Sequence, residues 1–415
     1  FYTTKYNTST SMTVKAKGYG STSYVGAHNN VNNSTMKAYL DSWYTSNLSS
    51  YEAKLSKDAV FCNNRAKSTK NSGTYNCITQ QLQSHLIDYQ ELSYVTIPSL
   101  DRVYEGIQLV KDYQLDMVIG IGGGTCIDVA KAIALGAAND LDIWNVLTGK
   151  ISYEDLNCLP IASIVTIPGS GSEMDGNSEI DDIDTGVHGN IGSFMKTYPR
   201  FSILDPELTY DIPYLLTLYH GVTILVQAME QYVCQTLDTP IQDGLAESIL
   251  KTVLSSLKRL KNNLHDEDAR AQLMWASALT TSRLIARGKQ SLWLGGALGG
   301  IIEEKFGLTY SQGIAITWPK YLLTCYKEYI TILKSFAINV MNISPENKSC
   351  DEIAYEGVKA FQETLLELGV ANTILDLGLQ TCEISEMSDN IERFASKNVM
   401  TKEDIKTIIQ LSIGG

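Results

Sequence analysis

Histidine is scarce in this chain: only His28, His85, His188, His220 and His265 occur in 415 residues. None lies beyond residue 265, so the last third of the sequence offers no imidazole to a metal ion. No pair among the eight cysteines has C-x-x-C spacing. Cys62, Cys77, Cys126, Cys158, Cys234, Cys325, Cys350 and Cys382 are scattered over a long chain, and read as reduced thiols, not as a disulfide framework or a zinc knuckle. No apolar run reaches the roughly 18 residues of a membrane span. No secretory signal is legible at Phe1-Tyr2-Thr3-Thr4-Lys5, and a cytoplasmic location is expected. Basic charge is also short. With 33 Lys and Arg against 46 Asp and Glu, the net charge is -13, which disfavours nucleic acid and anionic membrane as partners.

What the chain does have is apolar content, 44% of residues, enough for large buried cores, and a length that suggests two domains. Residues 1–80 are crowded with Ser, Thr, Asn and Tyr, as in Asn7-Thr8-Ser9-Thr10-Ser11, the composition of a low-complexity arm. Further on, residues 103–113 repeat apolar positions at helical spacing. Residues 115–121 form a short apolar run of the kind found in buried parallel strands, and Gly122-Gly123-Gly124 follows at once. Residues 125–137 are Ala-rich and predict a helix with Thr125 as N-cap. A second apolar run, 161–167, ends in Pro168-Gly169-Ser170-Gly171-Ser172, and 201–204 is a further short strand.

Helix, strand, glycine turn, helix is the rhythm of a Rossmann-like doubly wound parallel sheet. After Asp205-Pro206 amphipathic segments take over, at 214–236, 240–261, 266–287, 312–342, 350–368 and 402–412. The predicted class is therefore α/β followed by all-α: a dinucleotide-binding domain over 1–204 and a helical domain over 205–415, with no internal repeat.

Three glycines between a strand and a helix let backbone approach a ligand closely, and the helix start adds N–H groups and partial positive charge. Gly122, Gly123, Gly124 and Thr125 can so cradle a phosphate, and Asp128 on the first turn can reach a ribose or amide. Taken alone, the triple glycine is equally compatible with a tight turn that binds nothing. The second loop adds the hydroxyls of Thr166, Ser170 and Ser172 beyond the end of another strand. Two such loops suit a long ligand such as a dinucleotide. No Gly-Lys-Ser/Thr follows the glycines, which argues against a Walker-type loop.

The run Gly122-Gly123-Gly124-Thr125-Cys126-Ile127-Asp128-Val129-Ala130-Lys131-Ala132 resembles the cofactor signature of the iron-containing alcohol dehydrogenases. Thr166-Ile167-Pro168-Gly169-Ser170-Gly171-Ser172-Glu173-Met174 resembles that family's second cofactor loop, and the run from Phe201 to Tyr210 its domain junction. Residues 269–277 and 313–319 resemble its butanol and long-chain aldehyde branch. The resemblance implies NAD or NADP in the α/β half, with Asn63 opening a loop near the adenosine ribose and His188 where the branch carries a lysine close to the cofactor. An exposed loop histidine is the alternative for His188.

The resemblance further implies a small alcohol or aldehyde as substrate, a homodimer, and one Fe2+ or Zn2+ held by one Asp and three His of the helical half. Those ligand positions fall here on Thr223, Gln227, Gly296 and Tyr310, and none is an ordinary ligand for either ion. Three accounts fit this departure. The chain is a nucleotide-binding homologue that lost its metal; it works without metal, with His220 or Tyr310 as proton donor; or the residues written at those positions differ from the encoded ones. His220 also has a plain reading, as a polar residue at a helix start.

Overall fold

The computed structural model describes residues 58–63 as backbone and, with side chains, 74–84, 87–192, 194–291, 293–395 and 400–414. The polar arm before residue 58, the loop after Asn63, His28 and His85 lie outside the described residues. Contacts divide the chain into two units. One takes the residues up to Ile167 plus Gly171–Asp211, and the other takes Pro168–Ser170 plus Ile212–Gly415.

The first unit is built on a five-stranded parallel sheet. Its strands are β1 (Asp58–Asn63), β2 (Asp88–Leu92), β3 (Met117–Gly122), β4 (Ile161–Val165) and an edge strand, Phe201–Ile203. They lie in the order β2, β1, β3, β4, edge strand. Alternation along β3 explains the burial of both faces: Val118 packs with the core around Val129 and Ile133, whereas Ile119 and Ile121 pack with Ile78, Leu82 and Ala162. The strand order reverses direction at β1 and β3, which is where open α/β sheets collect ligands beyond their carboxyl ends. A parallel sheet followed by helices was expected, and no strand occurs after Ile203 among the described residues.

Helices α1 (Thr74–Ser84) and α2 (Leu100–Tyr113) precede β2 and β3, and the helix after β3, α3 (Gly124–Ala137), is buried nearly all round from Cys126 to Gly136. It presses on the sheet so closely that a Cβ on Gly120 would lie 3.0 Å from the Cα of Ile127. The helix begins one residue earlier than expected, and its N-cap is Gly123, not Thr125. Gly123 is the last extended residue (φ -91°, ψ -163°), which leaves Thr125 inside the first turn. An antiparallel hairpin, Ser178–Asp182 with Val187–Ile191, was not foreseen, because neither of its short strands carries a two-sided apolar pattern.

The second unit packs helices around one large core that includes Trp318, Tyr321, Phe336 and Phe361, all buried. The expected 312–342 helix is really two, Tyr310–Cys325 and Ile330–Asn339, joined by a 3-10 turn at Tyr326–Tyr329. The 266–287 segment stops at Thr281, and Arg283 just beyond has φ 57°. The helix Gly295–Phe306 escaped sequence reading because Gly295, Gly296, Gly299 and Gly300 look like loop residues. Two features hold it. The buried Glu230 carboxylate accepts from the backbone N–H of Gly295 at 2.6 Å, capping its start. At Gly299 its backbone touches that of the next helix, where a Cβ would lie 2.7 Å from Ile314 N.

Neighbouring glycines of one helix should therefore respond oppositely. Gly299→Ala is expected to lose about 1–3 kcal/mol through overpacking against backbone. Gly300, with nothing within 4 Å of a Cβ, should gain up to about 1 kcal/mol as Ala. Denaturant titration of both variants checks the pair.

Candidate functional site

In the first unit the two glycine loops leave adjacent parallel strands. Gly122 pairs in register with Val165, and the N–H of Thr166 donates to the Gly122 carbonyl at 3.0 Å. Asn63 ends β1 in register with Ile121, one residue short of the first loop. Gly122 has φ 157°, and a Cβ there would meet Cys126 Sγ at 2.7 Å. A Cβ on Gly123 would meet Ile167 Cγ2, also at 2.7 Å. A side chain at either position would thus have to displace Cys126 or Ile167. With no side-chain cap on Gly123, α3 presents the N–H groups of Gly124 and Thr125 at its positive end, a geometry that suits a pyrophosphate.

Asp128 does not point to a free ribose-binding position. Its Oδ1 accepts from the Ser172 hydroxyl and its Oδ2 from the Glu179 N–H at 3.3 Å. Ser172 belongs to a buried cluster around Lys131, whose ammonium donates to Ser172 Oγ (2.8 Å), Asp175 Oδ1 (2.8 Å) and the Asn177 carbonyl (2.7 Å). Ser172 therefore bridges Lys131 and Asp128. Burial pushes the Asp128 carboxyl up to about 7, with Lys131 opposing the rise. Burial also pushes Glu173 up to about 7, and its Oε1 has no hydrogen-bond partner. Sequence reading missed Lys131, Glu173 and Asp175 as a group. The available signal was a lone lysine in an otherwise apolar, Ala-rich helix.

His188 lies on the hairpin, half exposed, with Nδ1 2.7 Å from Asp181 Oδ1. That carboxylate raises its pKa. It lines a cavity with Leu147, Thr148 and Tyr153.

The other candidates sit in the second unit. Thr223 and Gln227 lie one turn apart on helix Tyr214–Tyr232, Gly296 is in the first turn of Gly295–Phe306, and Tyr310 opens Tyr310–Cys325. Gly296 and Tyr310 meet: a Cβ on Gly296 would lie 3.1 Å from the Tyr310 hydroxyl and ring. Thr223 Oγ1 is 3.1 Å from the hydroxyl of Ser311, beside Tyr310, and 3.2 Å from the Tyr219 carbonyl. Gln227 turns elsewhere, donating through Nε2 to the Ser170 carbonyl at 3.3 Å, with the Thr280 hydroxyl 3.2 Å from its Oε1.

His220 packs against Gly169, whose φ of 151° and missing side chain make room for the ring: a Cβ there would lie 2.6 Å from Nδ1. The ring hydrogen-bonds the backbone of Pro168, and burial pulls its pKa down to about 4. By contacts Ser170 belongs with these helical residues, not with Thr166 and Ser172.

These four positions do not fit the ion that the resemblance implies. One hydroxyl, one amide and one phenol are neutral oxygen donors, Gly296 brings no side chain, and the hydroxyl and amide are already hydrogen-bonded to protein. Neutral donors do not offset the loss of the water shell of Fe2+ or Zn2+. Among the described residues no three His, Cys, Asp or Glu converge as a metal site. No helix of the described residues is long and apolar enough to cross a membrane.

Comparison with known proteins gives two family profiles in sequence. "Iron-containing alcohol dehydrogenase" matches residues 40–206, and the "Fe-containing alcohol dehydrogenase family, C-terminal" profile matches 217–413. The NADH-dependent butanol dehydrogenase A of Clostridium acetobutylicum is 31% identical, over 83% of this chain and 90% of its own. An NADPH-dependent aldehyde reductase of Escherichia coli is 28% identical, over 74% and 79%. The crystal structure of the NADH-dependent butanol dehydrogenase A of Thermotoga maritima superposes with a TM-score of 0.79 at 27% identity, covering 88% of this chain and 92% of its own.

Two measurements follow from the geometry. Purified protein should contain no stoichiometric iron or zinc by elemental analysis, and its melting temperature should not move with chelator; one metal per chain would refute this. The second concerns Glu173. Its folded pKa, about 7, lies above the ordinary carboxyl value of 4.5, so the unfolded chain ionises first as pH rises and stability falls between those two values. Glu173→Gln removes the effect. The variant should match the wild type below pH 4, gain across that window, and hold an advantage of roughly 3 kcal/mol above pH 7, read by denaturant titration at each pH.

Proposed function

Since the chain belongs to the iron-containing alcohol dehydrogenase family, we propose that it is an oxidoreductase that interconverts an alcohol with an aldehyde or ketone by hydride transfer with NAD or NADP. The observation that carries this reading is the pair of glycine loops at adjacent strand ends, with the uncapped start of α3 between them. In this proposal Gly122, Gly123, Gly124 and Thr125 hold the pyrophosphate, Thr166 and Ser170 face the ribose or nicotinamide, and Asn63 stands near the adenosine end. Ser172 and Asp128 act from behind, tied to Lys131. Relatives named for NADH with butanol and for NADPH with aldehydes support a small alcohol or aldehyde as substrate. A cytoplasmic homodimer is part of the same proposal.

Reduction of an aldehyde needs a hydride from C4 of the reduced nicotinamide to the carbonyl carbon and one proton on the oxygen. No step is assigned to a metal, because the residues at its positions do not fit one. His220 is a poor acid here: its low pKa leaves it neutral, and its ring is bound to the Pro168 backbone. Tyr310 suits the proton transfer better, being 45% exposed and set against the open face of Gly296. Its phenol would give the proton to the oxygen as hydride arrives, and take it back in the oxidative direction.

The neutral donor set favours a second reading, a nucleotide-binding homologue without turnover. Fluorescence titration with NADH and NADPH, followed by aldehyde reduction with and without chelator, separates the two. Gly123→Val should weaken nucleotide binding about tenfold or more, since its Cβ would meet Ile167. Tyr310→Phe should lower kcat about 10²–10⁴-fold with binding intact. Tight nucleotide binding with no reduction of any aldehyde by the wild type selects the second reading. Failure to bind either nucleotide overturns both.

A further inference from the structure

Three consecutive residues, Pro168, Gly169 and Ser170, follow β4 in sequence but belong by their contacts to the helical unit. Each has backbone held by a side chain. The His220 ring hydrogen-bonds the Pro168 backbone. Ser277 Oγ accepts from the Gly169 N–H at 2.9 Å. The Ser170 carbonyl accepts from the Thr281 hydroxyl at 2.9 Å and from Gln227 Nε2 at 3.3 Å. The holders come from two helices, Tyr214–Tyr232 and Glu267–Thr281. They converge on one short stretch of irregular backbone, whose φ of 151° at Gly169 is a conformation that side chains disfavour.

We propose that His220, Gln227, Ser277 and Thr281 are positioning residues, a clasp of hydrogen bonds that fixes the backbone of the second glycine loop in the shape nucleotide binding requires. Gln227, at a position where the resemblance implies a metal ligand, serves this clasp. Irregular backbone of this kind keeps one shape only if its polar groups are satisfied in that shape. The clasp satisfies them from rigid helices, as preorganised sites require. Its consequence for affinity rests on the nucleotide-binding proposal above, but the clasp itself does not.

The test uses the whole chain and two readouts. Gln227→Ala, Thr281→Val and Ser277→Ala are compared with Thr281→Ser, which keeps the hydroxyl. The control is Ser412→Ala, which removes a buried hydroxyl bound to the Ile408 carbonyl. Hydrogen exchange of a peptide spanning residues 166–172 reads the clasp, and titration with NADH and NADPH reads its consequence. Loss of each clasp hydrogen bond should speed exchange in that peptide and raise the nucleotide Kd roughly fivefold. Thr281→Ser should restore both, and Ser412→Ala should change neither, whatever it does to the melting temperature. Unchanged exchange in Gln227→Ala and Thr281→Val overturns the clasp. Faster exchange with unchanged Kd overturns its role in binding. If the wild type binds neither nucleotide, the functional proposal fails, while exchange still decides the clasp.

Discussion

One buried ammonium organises the first unit. Lys131 is fully buried in α3, and a charge there persists only if every N–H finds an acceptor. It finds three: the hydroxyl of Ser172, the carboxylate of Asp175 and the carbonyl of Asn177. Because α3 is the helix whose start forms the first glycine loop, this one side chain ties the chain after the second loop to the first. Taking away one partner of a buried ion pair costs about 3–5 kcal/mol, far more than any surface pair in the molecule contributes. The order of the loop ends therefore follows from a charge that has nowhere else to go.

The four positions of the second unit where the resemblance implies a metal are held by neutral contacts. Thr223 is tied to Ser311, Gln227 to Ser170 and Thr280, and Tyr310 fills the space over Gly296. A coordinated ion would hold four such positions by strong, directional bonds. Here several weak hydrogen bonds and one ring contact do so, each of about 1 kcal/mol. The Thr223 hydroxyl and the Gln227 amide already have protein partners. Tyr310, 45% exposed, is the most accessible of the four.

The sequence was informative where chemistry repeats at short range. The run from Met117 through Ala137 could be read as strand, turn and helix because apolar period, glycine and alanine agreed. The resemblance then singled out Thr223, Gln227, Gly296 and Tyr310, which the structure sets on three separate helices. Features made by distant partners were hidden. Asp128 seemed free for a ribose until Ser172 and the Glu179 N–H, more than forty residues on, were seen to occupy it. The helix at 295–306 was illegible because its glycines serve helix contact and its cap, Glu230, lies 65 residues earlier. Thr125 was misjudged by two positions, since a glycine can end a strand without capping the helix by a side chain.

The segment Pro168–Ser170 has a further consequence, in time. Its N–H at Gly169 is bound by Ser277, 108 residues later, and the Ser170 carbonyl by Thr281, 111 residues later. A ribosome adding about 5–20 residues per second finishes the parallel sheet, including the strand at Phe201–Ile203, several seconds before the helix bearing those hydroxyls exists. During that interval the strand can pair and α3 can dock, but the second glycine loop has no wall to shape it. The last part of the first-made domain to mature on the ribosome is thus the loop next to its own sheet, and a nascent chain halted before residue 277 should carry a complete sheet beside an unfinished loop.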